Sequence, residues 1–192
     1  MNQTILSLKG KYAITGGIGS GKSYVAKCLQ AQGIEVFDCD AEAKKLMLYS
    51  KTLRAKLKAA IGEEAYCEDG SLNKAYISRF LLASEDNAKI INGIVHPAVA
   101  EAFMQSGKQW MECAILFESG FDKLVDKVVC VIAPLETRIQ RVMKRDNISR
   151  EQALQWINKQ LPQEEIARRS NYRIINDDSH NINEQIKNLL KA

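Results

Sequence analysis

The sequence predicts an α/β fold built on a five-stranded parallel sheet. Three observations lead there. Strand-like apolar runs alternate with amphipathic helical stretches. Two of the runs, Met111–Phe117 and Lys127–Ala133, are almost continuously apolar, as a sheet covered on both faces requires. A glycine-rich turn joins the first strand to the first helix.

Taken in order, Tyr12–Thr15 reads as a short buried strand, followed by glycines at 16, 17, 19 and 21. Lys22–Gln32 reads as a helix with Val25, Ala26 and Leu29 on one face and Gly33 at its C-terminal cap. Ile34–Phe37 is a second strand, ending at Asp38-Cys39-Asp40, and a charged helical stretch covers 41–48. Residues 51–106 read as all-helical, with a turn at Glu68-Asp69-Gly70-Ser71 between the helices. Their stripes are Leu53, Leu57 and Ile61; Tyr76, Ile77, Phe80 and Leu81; and Ile90, Ile91, Ile94 and Val95. Pro97 fits a first helical position. After the two apolar strands, Leu135–Arg145 is a helix, Ser149–Gln152 is a capping box and Pro162 opens a short helix. Tyr172–Ile175 is the fifth strand and Ile182–Leu190 a closing helix.

A chain of 192 residues suits one domain with an inserted subdomain, long enough to bury a core without metals or disulfides. The net charge of +4 is modest for a nucleic-acid-binding protein and suits anionic small molecules equally. Five cysteines without a C-x-x-C pair argue against a disulfide framework and a zinc site, and for a reducing, cytoplasmic setting. The first residues do not read as a signal peptide, because Ser7, Lys9 and Lys11 break the apolar run. No stretch approaches the roughly 18 apolar residues of a membrane span.

Gly16–Ser23 matches G-x-x-x-x-G-K-[ST] at every fixed position. Glycines let the backbone curl so that amides point at phosphate oxygens, and the following helix adds its positive end. The cradle is Gly17, Ile18, Gly19, Ser20 and Gly21; Lys22 reaches the outer phosphates and Ser23 ligates Mg²⁺, so the expected cofactors are ATP and Mg²⁺. A dinucleotide site is excluded because Lys22 stands where G-x-G-x-x-G needs glycine. Neither Asn-Lys pair continues as N-K-x-D, so a GTPase is excluded too. A motor ATPase usually ends an apolar strand in Asp; here the 111–117 run ends in Glu118. What remains is a small-molecule kinase with a three-layer P-loop kinase fold. Its core is 11–50, 108–136 and 171–192, its helical acceptor-binding insert 51–107 and its basic lid 137–170.

At this point a family resemblance is specific. GGIGSGKS at 16–23, VFDCD at 36–40, DGSL at 69–72, INGIVHP at 91–97 and ILFE at 115–118 resemble dephospho-CoA kinase, as do Arg141, Arg145, Gln160 and Asn176. The resemblance implies a monomeric enzyme that phosphorylates the ribose 3′-hydroxyl of dephospho-CoA with Mg-ATP, with no nucleic-acid or membrane partner. It implies that Asp40 is the general base and that Asp38, His96, Leu116 and Glu118 face the acceptor. Tyr24, Arg141, Arg145 and Asn176 would belong to the nucleotide site, with Lys22 and Arg145 joining Asp40 in catalysis. The chain departs from the family pattern at Tyr24 (usually Thr), Cys39 (Ala), Ala114 (Pro), Lys44 (Arg) and Ser170-Asn171 (Ala-Asp).

Each candidate has a plainer reading. Asp40 could be a helix N-cap, and Asp38 could cap or orient metal-bound water. Arg141 and Arg145 lie one turn apart, with Arg138, Lys144 and Arg150 enlarging a patch that could be a solvated face. His96 could be a packing residue before Pro97, and Glu118 could simply end a strand. Cys39 reads as a small apolar filler, and Trp110 and Trp156 as core or lid packing. Two rivals stay open: a kinase for another small acceptor, and a P-loop regulatory protein that binds ATP and signals by closing. Acceptor-stimulated turnover separates them.

Overall fold

The computed structural model describes residues 10–191; the broken apolar run at the N-terminus lies outside the described residues. Contacts divide the chain into two compact units. One runs to Phe37 and resumes at Lys108; the other is Asp38–Gly107.

The first unit carries the sheet. Its strands are β1 (Tyr12–Thr15), β2 (Val36–Asp38), β3 (Trp110–Glu112), β4 (Lys127–Ile132) and β5 (Tyr172–Ile175), in the spatial order β2-β3-β1-β4-β5. The β1–β3, β1–β4 and β4–β5 ladders are parallel. β1 and the middle of β4 are buried, which explains their unbroken apolar character. Helices α1 (Lys22–Gln30) and α9 (Ile182–Leu189) close one core with Ile14, Leu29, Trp110, Val129, Ile174 and Ile186. Trp110 stacks on Tyr12 with ring centroids 4.6 Å apart. Each such buried side chain contributes about 1.5–3 kcal/mol relative to exposure. Gly33, at φ 83°, ends the turn after α1, and the Ile34 amide returns to the Leu29 carbonyl at 3.2 Å.

The rest of this unit is α6 (Leu135–Asp146), α7 (Arg150–Asn158) and α8 (Gln163–Arg169). α7 starts with a full capping box: Ser149 accepts from the Gln152 amide while the Gln152 side chain accepts from the Ser149 amide. α6 ends at Asn147 in left-handed backbone, φ 52°. Ile139 and Val142 of α6 bury against Ala153 and Ile157 of α7.

The helical unit contains α2 (Cys39–Tyr49), α3 (Lys51–Ile61), α4 (Lys74–Ala83) and α5 (Glu85–Gln105). α2 packs with α5, so this unit begins at Asp38, whereas the sequence reading drew its insert from 51. Leu53, Leu57 and Ile61 are buried as their spacing predicts. Arg54 ties the unit together by donating Nη1 to the Leu48 and Gly70 carbonyls at 2.8 and 2.7 Å and lying over the Tyr66 ring.

Two expectations need correction here. Pro97 does not start a helix but lies inside the 21-residue α5. A proline ring presses on the carbonyl four residues earlier, which here belongs to Gly93 on an exposed stretch of α5. β3 stops at Glu112 rather than continuing to Phe117. The segment after it is a turn whose Leu116 is fully buried, so it is apolar for packing without being extended.

Candidate active site

The P-loop follows the carboxyl end of β1 and precedes α1. Gly16, Gly19 and Gly21 have φ of 144°, 80° and 94°, backbone that side chains other than glycine resist. At Gly19 the constraint is also spatial: an added Cβ would lie 2.6 Å from the Arg138 carbonyl oxygen of α6. The Ser20 amide closes a turn on the Gly17 carbonyl at 3.1 Å. Lys22 is 9% exposed and rests its Nζ 3.3 Å from the same carbonyl. The Ser20 hydroxyl is buried without a hydrogen-bond partner. A buried polar atom left unbonded is costly, and a phosphate oxygen would satisfy it.

Three side chains from distant elements fix the loop. The Gln160 Oε1 accepts from the Ile18 amide at 2.6 Å. The Arg138 Nε donates to the Ile18 carbonyl at 2.9 Å. Asn176, 7% exposed at the end of β5, donates Nδ2 to the Ser20 carbonyl at 2.8 Å. Arg141 Nη1 reaches the Asn176 carbonyl at 3.2 Å, and Nη2 pairs with the Asp178 carboxylate at 2.8 Å. Beside these groups lies a cleft of about 620 Å³ lined by Gly21, Tyr24, Arg141, Asn176, Asp178 and His180 among others. It adjoins the start of α1, where a nucleoside attached to loop-bound phosphates has room.

The Ser23 hydroxyl donates to Glu112 Oε1 at 2.8 Å. Two hard oxygen donors at the carboxyl end of β3 and the start of α1 fit Mg²⁺, which takes one or two protein oxygens and fills its octahedron with phosphate oxygens and water. Sequence reasoning missed Glu112, because it looked for the strand-ending acid at Glu118. Glu118 is exposed in the turn six residues past β3.

The remaining candidates are placed as follows. Asp38 is the N-cap of α2, accepting from the Ala41 amide at 2.9 Å. The capping alternative therefore belongs to Asp38 and not to Asp40. Asp40 is exposed in the first turn of α2, and its carboxylate makes no hydrogen bond or ion pair among the described residues. His96 is half-buried in α5, and burial lowers its pKa. Leu116 is wholly buried, so its side chain packs. Arg145 is mostly exposed and pairs with its neighbour Asp146 at 2.7 Å. Tyr24 is exposed at the cleft. The basic patch is not one solvated face: Arg138 is 5% exposed, and Arg150 forks onto Glu136 at 2.6 and 2.7 Å. That fork holds the Glu136 carboxyl down to about 2. The buried Arg138 is the second residue that sequence reasoning undervalued; its only sequence signal was an arginine one turn before Arg141.

The dephospho-CoA kinase family profile matches residues 12–182. A curated dephospho-CoA kinase from Bacteroides fragilis is 43% identical over 187 residues, covering 94% of this chain and 91% of the relative. The corresponding enzyme from Salinibacter ruber is 38% identical over 177 residues, covering 88% and 89%. Among solved structures, a Thermus thermophilus protein superposes with a TM-score of 0.81 at 32% identity, covering 94% and 95% of the two chains. A shikimate kinase from Acinetobacter baumannii, at TM-score 0.57 and 18% identity over 97% and 93%, shares the fold.

Proposed function

Because the chain belongs to the dephospho-CoA kinase family, we propose that it transfers the γ-phosphoryl group of ATP to the ribose 3′-hydroxyl of dephospho-CoA, giving CoA and ADP. The observation that carries this reading is the P-loop with its buried Lys22 and the Ser23–Glu112 pair beside it.

Phosphoryl transfer needs positioning and charge stabilisation more than covalent chemistry. The loop amides and Lys22 hold the β- and γ-phosphates, with the Ser20 hydroxyl as a further contact. Ser23, and Glu112 directly or through water, would hold Mg²⁺, which when bound neutralises phosphate charge. Asn176 and Arg141 bound the nucleoside cleft. Asp40 accepts the proton of the acceptor hydroxyl; its support is its unpaired, exposed carboxylate at the start of α2. Arg145 supplies positive charge to the transferring group by exchanging Asp146 for phosphate. Asp38, His96 and Glu118 remain acceptor-facing candidates, and segment 137–170 the lid that excludes water. We read the chain as a cytoplasmic monomer without nucleic-acid or membrane partners; no described helix is long and apolar enough to cross a membrane.

The test is ADP release coupled to a reporter enzyme, with dephospho-CoA compared against nucleotide and sugar-acid acceptors. Turnover strictly dependent on dephospho-CoA is expected. Equal rates without an acceptor, or with another acceptor, would remove the assignment.

A further inference from the structure

We propose that Arg138 is a second fixed cation of the phosphate site, held inside the protein to bind the oligophosphate of the nucleotide. This rests on the P-loop reading above and deepens it.

Arg138 lies in the first turn of α6, yet it is buried at 5% exposure. Its Nε is committed to the Ile18 carbonyl at 2.9 Å. Its Nη2 lies against residue 17 so closely that a Cβ added to Gly17 would sit 2.2 Å away. The guanidinium is therefore laid along the loop. Its two Nη groups make no hydrogen bond among the described residues, and no carboxylate there comes within ion-pair distance. The Glu164 carboxylate of α8 is felt electrostatically without contact, and burial is the main influence on the group, lowering its pKa from a value so high that it stays charged.

A buried charge without a counter-charge is expensive, and proteins keep one where something pairs with it. Here the polar groups converge. Lys22 Nζ and Arg138 Nη2 both meet Gly17, one at its carbonyl and one beside its Cα. The unbonded Ser20 hydroxyl belongs to the same loop. Two cations and one orphan hydroxyl around a four-residue curl form a receptor for a polyanion with several charged oxygens. A guanidinium offers Nη donors in a fixed fork that matches phosphate geometry. The sequence spacing makes this arginine part of a basic patch that could be lid charge or a solvated face; its burial places it at the loop.

Isothermal titration with ADP, tripolyphosphate and adenosine separates the possibilities. Arg138→Met keeps the length and apolar stem and removes the charge. We expect ADP and tripolyphosphate affinities to fall together by about 10- to 100-fold, the loss of one charge-assisted hydrogen-bonding group. Adenosine affinity stays unchanged, and Arg138→Lys recovers part of the loss. Unchanged tripolyphosphate affinity in Arg138→Met, with only a lower melting temperature, would make the residue a mere clamp on Ile18 and overturn the proposal. A loss confined to ADP would also overturn it. If Arg138→Met does not fold, ¹⁵N spectra of the wild type, with the signal assigned from Arg138→Lys, decide. The Arg138 side-chain resonances shift on adding tripolyphosphate, or the proposal fails. A wild type that binds neither ADP nor tripolyphosphate refutes the P-loop reading itself, a result distinct from the variant outcomes.

Discussion

The Ser23 hydroxyl and the Glu112 carboxylate, one at the first turn of α1 and the other at the last residue of β3, are joined by a 2.8 Å hydrogen bond. Parallel strand pairing sets this up: Ile14 stands opposite Glu112, so the chain leaving β1 through the P-loop returns its serine above the neighbouring strand's end. If the pair holds Mg²⁺, Glu112→Gln raises the Mg²⁺ concentration for half-maximal rate by about 10- to 100-fold. Ser23→Ala acts in the same direction. Magnesium titrations at saturating ATP check both, and an unchanged midpoint would remove Glu112 from the metal shell.

Asp40 carries its own expectation. Without its carboxylate the acceptor hydroxyl loses its proton acceptor, and kcat of Asp40→Asn falls by about 10²- to 10⁴-fold. The Michaelis constant for ATP stays close to the wild-type value, since Asp40 has no part in gripping phosphate. Steady-state kinetics with both substrates varied reads the two effects separately.

Asn176 is a tie between β5 and the loop. Asn176→Ala removes the shorter of two hydrogen bonds to the Ser20 carbonyl, leaving the 3.5 Å one from Arg141, and costs about 1 kcal/mol of stability. It also frees Gly21, whose added Cβ would lie 2.0 Å from the Asn176 Nδ2. We expect weaker ATP binding and a lower urea midpoint, measured by titration and by equilibrium unfolding.

His96 sets a pH dependence. Burial lowers its pKa in the folded protein, so near and below its ordinary value of about 6.5 the unfolded chain binds the proton more readily. Stability from the neutral ring is present above that value and declines as the pH falls through it. The urea midpoint should drop between about pH 7 and pH 5, and His96→Gln should flatten that part of the curve. A profile identical in the two proteins would show that His96 titrates as it does in water.

Much of the architecture could be read from local pattern. The P-loop is a contiguous motif, and β1 and β4 are buried on both faces, so their apolar runs end where the strands end. β3 was overextended because Ala114–Phe117 is apolar for another reason: the turn packs Leu116 inward. That error moved the strand-ending acid from Glu112 to Glu118 and hid the Ser23 contact, which joins residues 89 positions apart. Pro97 reads as a start signal in sequence, but the apolar stripe of Ile90, Ile91, Ile94 and Val95 runs on through it as one continuous helix, α5. Arg138 was read with Arg141 and Arg145 from helical spacing, which gives shared direction but not what lies in that direction. A loop 120 residues away in sequence does. The roles of Asp40, His96 and Arg145 depend on the acceptor, and a side chain's chemistry toward a missing molecule is not written in its neighbours.

The tight clearance at Gly19 has a mechanical consequence. The Arg138 main chain of α6 lies against the loop there, with the Val142 side chain beside it. The loop is thus backed by the first turns of α6, and the left-handed Asn147 ends that helix before α7. Beyond it, α7 is held to α6 and the loop by the Ile139–Val142–Ala153–Ile157 cluster, by the Gln160 contact to Ile18 and by the surface fork between Glu136 and Arg150. Dissolved salt screens such an exposed pair. Raising ionic strength should weaken the fork alone, so amide exchange at the start of α7 should quicken modestly while the loop and the start of α6 stay as rigid as before.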